Sequence, residues 1–267
     1  MTSPAPSDDD KLTTIGLAFG MPHFPDGEWH VGPVTIEGEV AEFLRMRIRS
    51  GELRAGDRLP PQRELATILG VARPTLRQAL KTLETQGYVV TTRGAAGGTT
   101  VAELGRDPRW LPTEQKSVEE LDSQFEFRTA IERATSRLAS SKRTTAHLDE
   151  MYDAIEAMRT ESDGSAELRH ADARFHLTLA IATGNSRLVD ALRAIRSELF
   201  LPSEAHRSIG DAARAADEHD KVLERVREGD AYGAEAAMEE HIHGVWDFYR
   251  SVLLRELDGQ NPISQAG

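Results

Sequence analysis

The chain has 267 residues, of which 39% are hydrophobic and 28% charged, with a net charge of −12. That balance belongs to a globular chain, not a disordered or membrane-spanning one. No apolar run is long enough to cross a bilayer, and Met1 to Asp10 lacks the basic start and apolar stretch of a signal peptide, so a cytoplasmic chain is expected. The absence of cysteine excludes disulfides and thiolate metal sites, leaving nitrogen and oxygen as the only metal ligands.

The length predicts two domains of unequal size, and the charge is divided accordingly. Residues 36 to 101 carry ten Lys and Arg against seven Asp and Glu, a net of +3, while residues 102 to 267 carry 21 against 32, a net of −11. A mildly basic module beside an acidic one suits a nucleic-acid reader attached to a domain with another task.

In chain order, residues 1–37 mix Gly, Pro and Asp with isolated aromatics and read as an arm. From Glu37 to Ser50, Val40, Phe43, Leu44 and Ile48 recur at helical spacing, and Gly51 supplies a stop. Leu59-Pro60-Pro61 opens a second helix with Leu65, Ala66 and Leu69 as its buried stripe. A third helix, from about Pro74 to Gln86, buries Leu76, Leu80 and Leu83 and ends at Gly87, which can take the left-handed conformation. Tyr88 to Thr92 and Thr99 to Val101 are β-prone and bracket the glycine-rich Arg93-Gly94-Ala95-Ala96-Gly97-Gly98. Three helices and a hairpin are the parts of a winged helix-turn-helix, assigned to 38–103. Residues 104–116, with Pro108 and Pro112, read as a linker. An all-α bundle follows over 117–256, with breaks near residues 143, 163, 184, 209 and 229 that divide it into about six helices. Residues 257–267 read as a tail. The expected fold class is mainly α, with one small β-hairpin wing.

The segment Gly51-Glu52-Leu53-Arg54-Ala55-Gly56-Asp57-Arg58-Leu59-Pro60-Pro61-Gln62-Arg63-Glu64-Leu65-Ala66, continued by Arg73-Pro74-Thr75-Leu76-Arg77-Gln78-Ala79-Leu80 and Leu83-Glu84-Thr85-Gln86-Gly87-Tyr88-Val89, resembles the DNA-binding domain of the GntR family. Arg73 and Arg77 are four residues apart and project from one face of the third helix. Guanidinium forks there pair with guanine edges or phosphate oxygens, and Thr75 suits a phosphate or a thymine methyl. The resemblance implies that Arg63 touches DNA and that the wing tip, Arg93 and Gly94, enters the minor groove. The chain departs from the family at Ala72, where a Ser or Thr able to cap the third helix is usual.

Further on, Phe127-Arg128-Thr129-Ala130-Ile131-Glu132, Asp172-Ala173-Arg174-Phe175-His176, Gly184-Asn185, Glu218-His219 and Ala237-Met238-Glu239-Glu240-His241 resemble the FCD domain of the FadR-type subfamily. The resemblance implies a helical bundle around a small-molecule pocket, with a divalent metal held by one Asp and three His. The matching residues are Asp172, His176, His219 and His241. Such a set suits zinc first, with nickel, manganese or iron as alternatives, and leaves coordination positions open for an anionic effector. Arg128 is expected to hold a second acidic group of that effector, and Asn185 is grouped with it. His170, His206 and His243 match no ligand position, and Leu177, Leu179, Ile181 and Leu188 are read as core.

Together these readings predict a transcription regulator that is not an enzyme. It is expected to be a homodimeric repressor on a palindromic operator, answering to an organic acid, with no membrane partner. Two alternatives stand beside it. One is a metal-dependent hydrolase or isomerase using the same Asp and His residues, with Glu218 or Glu240 as base. The other is a metal-free regulator sensing an acyl thioester.

Overall fold

Val40, Ala41, Leu44 and Ile48 recur every three or four residues, and α1 (Ile36–Arg49) buries all four. Our computed structural model describes residues 35–94, 97–103, 117–161, 165–199 and 212–257. The arm 1–37 therefore lies outside the described residues except at its end, where α1 begins. The linker 104–116, His206 and residues 258–267 also lie outside them.

After α1 come α2 (Gln62–Ile68) and α3 (Arg73–Thr85), then β1 (Val89–Thr92) and β2 (Gly98–Val101). Pro61 stands at the N-cap of α2, where a missing N–H costs nothing. α3 starts at Ala72 with no side-chain cap, so the departure from the family pattern leaves its first N–H groups without a side-chain oxygen. Gly87 ends the third helix at φ +77°, a backbone region in which side chains with a Cβ are strained. β1 and β2 pair antiparallel with Val89 opposite Val101 and Thr92 opposite Gly98. The stretch before α2 lines the other edge of β2, Leu59 N donating to Thr99 O and Val101 N to Asp57 O.

The core beneath these elements joins the α1 stripe to Leu65, Leu76, Leu80, Leu83 and Val89. Each fully buried side chain of this size contributes about 1.5–3 kcal/mol, so Leu76 and Leu83, with no exposed surface, anchor the module. Phe43 is a correction to the expected stripe: it is exposed and lies under the Arg47 guanidinium, 4.2 Å from the ring centre. It falls on the flank of the helix, and the arginine covers it from outside.

The second half is all helix: α4 (Val118–Lys142), α5 (Thr145–Thr160), α6 (Ala166–Ala182), α7 (Ser186–Glu198), α8 (Ala212–Glu228) and α9 (Ala231–Leu257). Ser117 and Glu120 form a capping box at α4, and Thr144 with His147 does the same at α5. α4 packs along α9, α5 along α6, and α8 against α9 and α5. α6 is the central helix, because Ala171, Ala173, Phe175, His176, Leu177, Thr178, Leu179 and Ala180 are all buried and a helix buried on every side must lie inside the bundle. Of the predicted core stripe Leu177 and Leu179 are buried and Leu188 is half-buried, but Ile181 is half exposed, on a face of α6 that loses its cover one turn after Leu177 while Ala180, Ala182 and Thr183 stay buried. No helix among the described residues is long and apolar enough to cross a membrane.

Candidate functional site

The four residues predicted to hold a metal meet inside the bundle. Asp172 and His176 come from successive turns of α6, His219 from α8 and His241 from α9, and one ligand atom of each lies within 4.8 Å of the others. The three histidines are buried and Asp172 is partly exposed. Their side chains converge because α4 and α5 pack on the central α6 and carry α8 and α9, which pack on each other.

The hydrogen bonds decide which ring nitrogen faces inward. His176 Nδ1 meets a Glu132 carboxylate oxygen, His219 Nδ1 lies 2.6 Å from the Ala215 carbonyl, and His241 Nδ1 lies 2.9 Å from Glu218 Oε2. Carbonyls and carboxylates accept only, so each Nδ1 carries a proton, and Nε2 is the nitrogen through which each ring, when neutral, would offer a lone pair to the centre. His176 Nε2 and His219 Nε2 lie 3.0 Å apart, and Asp172 Oδ1 is 3.5 and 3.3 Å from them. His241 Nε2 is buried with no hydrogen-bond partner. Converging lone pairs and an orphaned ring nitrogen are unfavourable unless a cation lies between them. With bonds of about 2.0–2.1 Å to zinc, tetrahedral neighbours stand about 3.3–3.4 Å apart. The donor set therefore fits a divalent ion.

Charges around the cluster keep it in the state a metal requires. Burial drives the His241 ring down to about 3 and the neighbouring His219 adds to this, so the ring is neutral at physiological pH. Burial opposes the charge on Asp172, but Arg196 and His176 outweigh it and hold the carboxyl well below its usual range. Arg196 Nη2 donates to Asp172 Oδ2 over 2.6 Å, leaving Oδ1 for the centre. Glu132 is likewise depressed despite burial, by His176 and Arg128, and Arg128 Nε donates to its Oε1 over 2.7 Å. Carboxylates behind two of the three rings lock their orientation and raise their basicity as ligands.

Glu132 and Arg196 are residues of the site to which the sequence alone assigns no role. Glu132 and Arg128 were separated by a helical turn within a quoted motif, a spacing that permits an ion pair. A carboxylate and a guanidinium on a buried helix face were the available signal. Glu218, the candidate base of the hydrolase alternative, contacts the back of His241. Arg128 is almost wholly buried, and its charge is felt at His241 and at the buried Tyr249 phenol, which burial raises from its ordinary value. Asn185 is not brought to the cluster. It is exposed and caps α7, its Oδ1 accepting from Arg187 N at 3.1 Å, and eight residues of helix and turn separate it from His176.

The expected DNA-facing residues lie on the other module. Arg63 is in the first turn of α2, Arg73 and Arg77 are one turn apart on α3, and Arg93 and Gly94 follow β1. All five are exposed, Thr75 is half-buried, and none of the four arginines forms an ion pair among the described residues. Arg58 instead supports the wing from below, donating to the Gly97 carbonyl.

Comparison with known proteins places both halves. Residues 36–101 match the family described as bacterial regulatory proteins, gntR family, and residues 123–244 match the FCD domain. The uncharacterized HTH-type transcriptional regulator YcbG of Bacillus subtilis (strain 168) is 30% identical over 227 residues, covering 84% of this chain and 92% of that protein. A provisionally named L-lactate dehydrogenase operon regulatory protein of Escherichia coli (strain K12) is 31% identical over 232 residues, 79% of this chain and 84% of its own length. The HTH-type transcriptional regulator LutR of B. subtilis (strain 168) is 31% identical over 210 residues, 75% and 94% of the two chains. These relatives are regulators and not enzymes, which removes the hydrolase alternative. With a winged helix-turn-helix on one side and a helical effector domain on the other, the chain belongs to the GntR family of DNA-binding transcription regulators, in its FCD-containing branch.

Proposed function

We propose that this regulator is a homodimeric repressor whose hold on a palindromic operator is controlled by a carboxylate effector bound at a divalent metal, zinc in the first place, on Asp172, His176, His219 and His241. The observation that carries the metal is the convergence of three Nε2 atoms and the Asp172 carboxylate, with His241 Nε2 buried and without a partner. When bound, the ion supplies Lewis-acid positions for an anionic oxygen. Glu132 and Glu218 hold two rings in the ligating tautomer. Arg196 holds the outer oxygen of Asp172, and Arg128, charged and buried beside His241, is placed to receive a second acidic group of the effector.

The relative named for an L-lactate dehydrogenase operon makes L-lactate, a 2-hydroxy carboxylate, a reasonable first probe. On the DNA side, Arg73, Arg77 and Thr75 read the major groove, Arg63 binds phosphate, and Arg93 with Gly94 enters the minor groove. Two copies on one duplex supply the symmetry of the operator.

The deciding test is metal analysis of the purified protein beside a His176→Ala/His219→Ala double variant. About one ion per chain, lost in the variant, is expected. Equal metal content in both proteins would remove the site.

A further inference from the structure

The turn that follows α1 of the DNA-reading module is clamped onto α6, which bears two of the metal candidates, and onto α7, which bears Arg196. Gly51 there has φ +89°, and a Cβ added to it would lie 2.9 Å from Ala173 Cβ and 3.1 Å from the Arg169 carbonyl oxygen. Ala173 adjoins Asp172 on α6, so the DNA-reading module touches the helix bearing two of the four candidate ligands. His170 Nδ1, also on α6, lies 2.8 Å from the Gly51 carbonyl. On α7, Arg193 forms an ion pair with Glu52, its Nη2 donating to Oε2 over 3.2 Å, and Arg47 of α1 holds the same carboxylate at 2.6 Å.

Arg196 completes the clamp and ties it to the site. One edge of its guanidinium donates to Asp172 Oδ2 over 2.6 Å, and its Nε points at the Ser50 carbonyl at a long 3.5 Å. Ser50 follows the last residue of α1, whose final carbonyls form the negative end of the helix dipole. Arg196 is thus a nearly buried cation shared between a candidate metal ligand and the carboxyl end of the first DNA-module helix. Anything that takes negative charge from Asp172 frees Arg196 toward those carbonyls. Anything that restores that charge draws it back.

We propose that Arg196, acting with the Ser50–Glu52 turn, is the link through which the Asp172 site acts on the DNA-reading module. The inference rests on the metal-site reading above and adds to it the route by which the site is felt at the operator. Arg196 is a positioning residue that touches neither DNA nor the converging ring nitrogens. The coupling is reciprocal, so DNA must change the affinity of the site by the factor by which the site changes that of DNA.

The test uses the full chain, Zn²⁺ alone as the probe of the site, and a duplex selected by the wild-type protein from a random library. Calorimetry follows Zn²⁺ uptake, and DNA affinity is measured with a chelator and at saturating Zn²⁺. For the wild type we expect a change in DNA affinity of about fivefold or more between the two states, with altered amide exchange at residues 50–53. Arg196→Met removes the cation that offsets Asp172, so it should be less stable than the wild type without metal yet still take up Zn²⁺, with its DNA-affinity ratio falling to within about twofold of unity and no change in amide exchange. Gly51→Ala prises the same contact apart from the DNA-module side without touching the site, and should give the same loss. Arg196→Met keeping the wild-type ratio, or a wild type that takes up Zn²⁺ with no change in DNA affinity, overturns the link while leaving the metal site standing. A wild type that takes up no Zn²⁺ removes both.

Discussion

In the DNA-reading module Arg63, Arg73, Arg77 and Arg93 stand exposed with no ion pair among the described residues, whereas in the helical domain Arg128 and Arg196 are withdrawn from solvent and each holds a carboxylate. The same side chain does two kinds of work. An exposed, unpaired guanidinium keeps its donors for a partner outside the molecule and adds little to the fold. A buried, paired one has little freedom left and positions its neighbours, and removing either member of the pair leaves a charge that the interior does not tolerate. Stability and recognition should therefore separate cleanly between the two halves.

The largest effect should come from the buried set. Glu132→Ala strands Arg128 and frees the His176 ring, and should cost about 3–5 kcal/mol of stability in denaturant unfolding of the metal-free protein. A loss below about 1 kcal/mol would mean that Glu132 is dispensable and the contrast overstated. Acid should act on the same cluster. The folded-state value of about 3 for His241 lies below its ordinary 6.5, so the fold favours the neutral ring. Its contribution is complete above about pH 6.5 and declines as the pH falls from there toward 3. The depressed carboxyls of Asp172, Glu132 and Glu218 contribute with the same sign at lower pH. In the presence of chelator, unfolding at pH 5 should therefore need less denaturant than at pH 7.5, and an unchanged midpoint would contradict the assigned environment of His241.

The exposed set should behave in the opposite way. Arg73→Ala should weaken binding to a selected duplex by about 1–3 kcal/mol with altered base preference, while Arg63→Ala weakens it more evenly across sequences. Neither should move the melting temperature by more than a degree or so, and a large shift would show that these arginines support the fold. The smallest expected change is a gain. Ala72→Ser gives α3 the side-chain cap it lacks and should add about 0.5–1 kcal/mol of stability. No gain would mean that the α3 N–H groups are already satisfied, by water for instance.

Much of the DNA-reading module was legible before any coordinates. The 3.6-residue recurrence of Val40, Leu44 and Ile48, the prolines before α2, Gly87 after α3 and the β-prone runs around the wing are local signals, and local backbone preferences answer to them. Phe43 escaped the pattern because its position is marginal on the helical wheel and Arg47 supplies a cover that periodicity does not register. In the helical domain the breaks between helices were equally visible, since Gly184 and Gly229 take positive φ where helices end. Ile181 was misplaced because helical spacing reports a face of the helix and not where along its length the bundle stops covering it.

By itself the sequence determined the element order, the division into a basic and an acidic half, and the residue types able to bind a metal, because composition, periodicity and caps act within a few residues of one another. Only the tertiary structure decided which histidine nitrogen faces the centre, that Glu132 and Glu218 stand behind the rings, that Asn185 is a cap, and that Arg196 joins Asp172 to the end of α1. Glu132 lies 44 positions from His176, and Arg196 lies 146 from Ser50. Contacts at such separations exist only once α4, α6, α7, α8 and α9 have packed, and no periodicity along the chain encodes them.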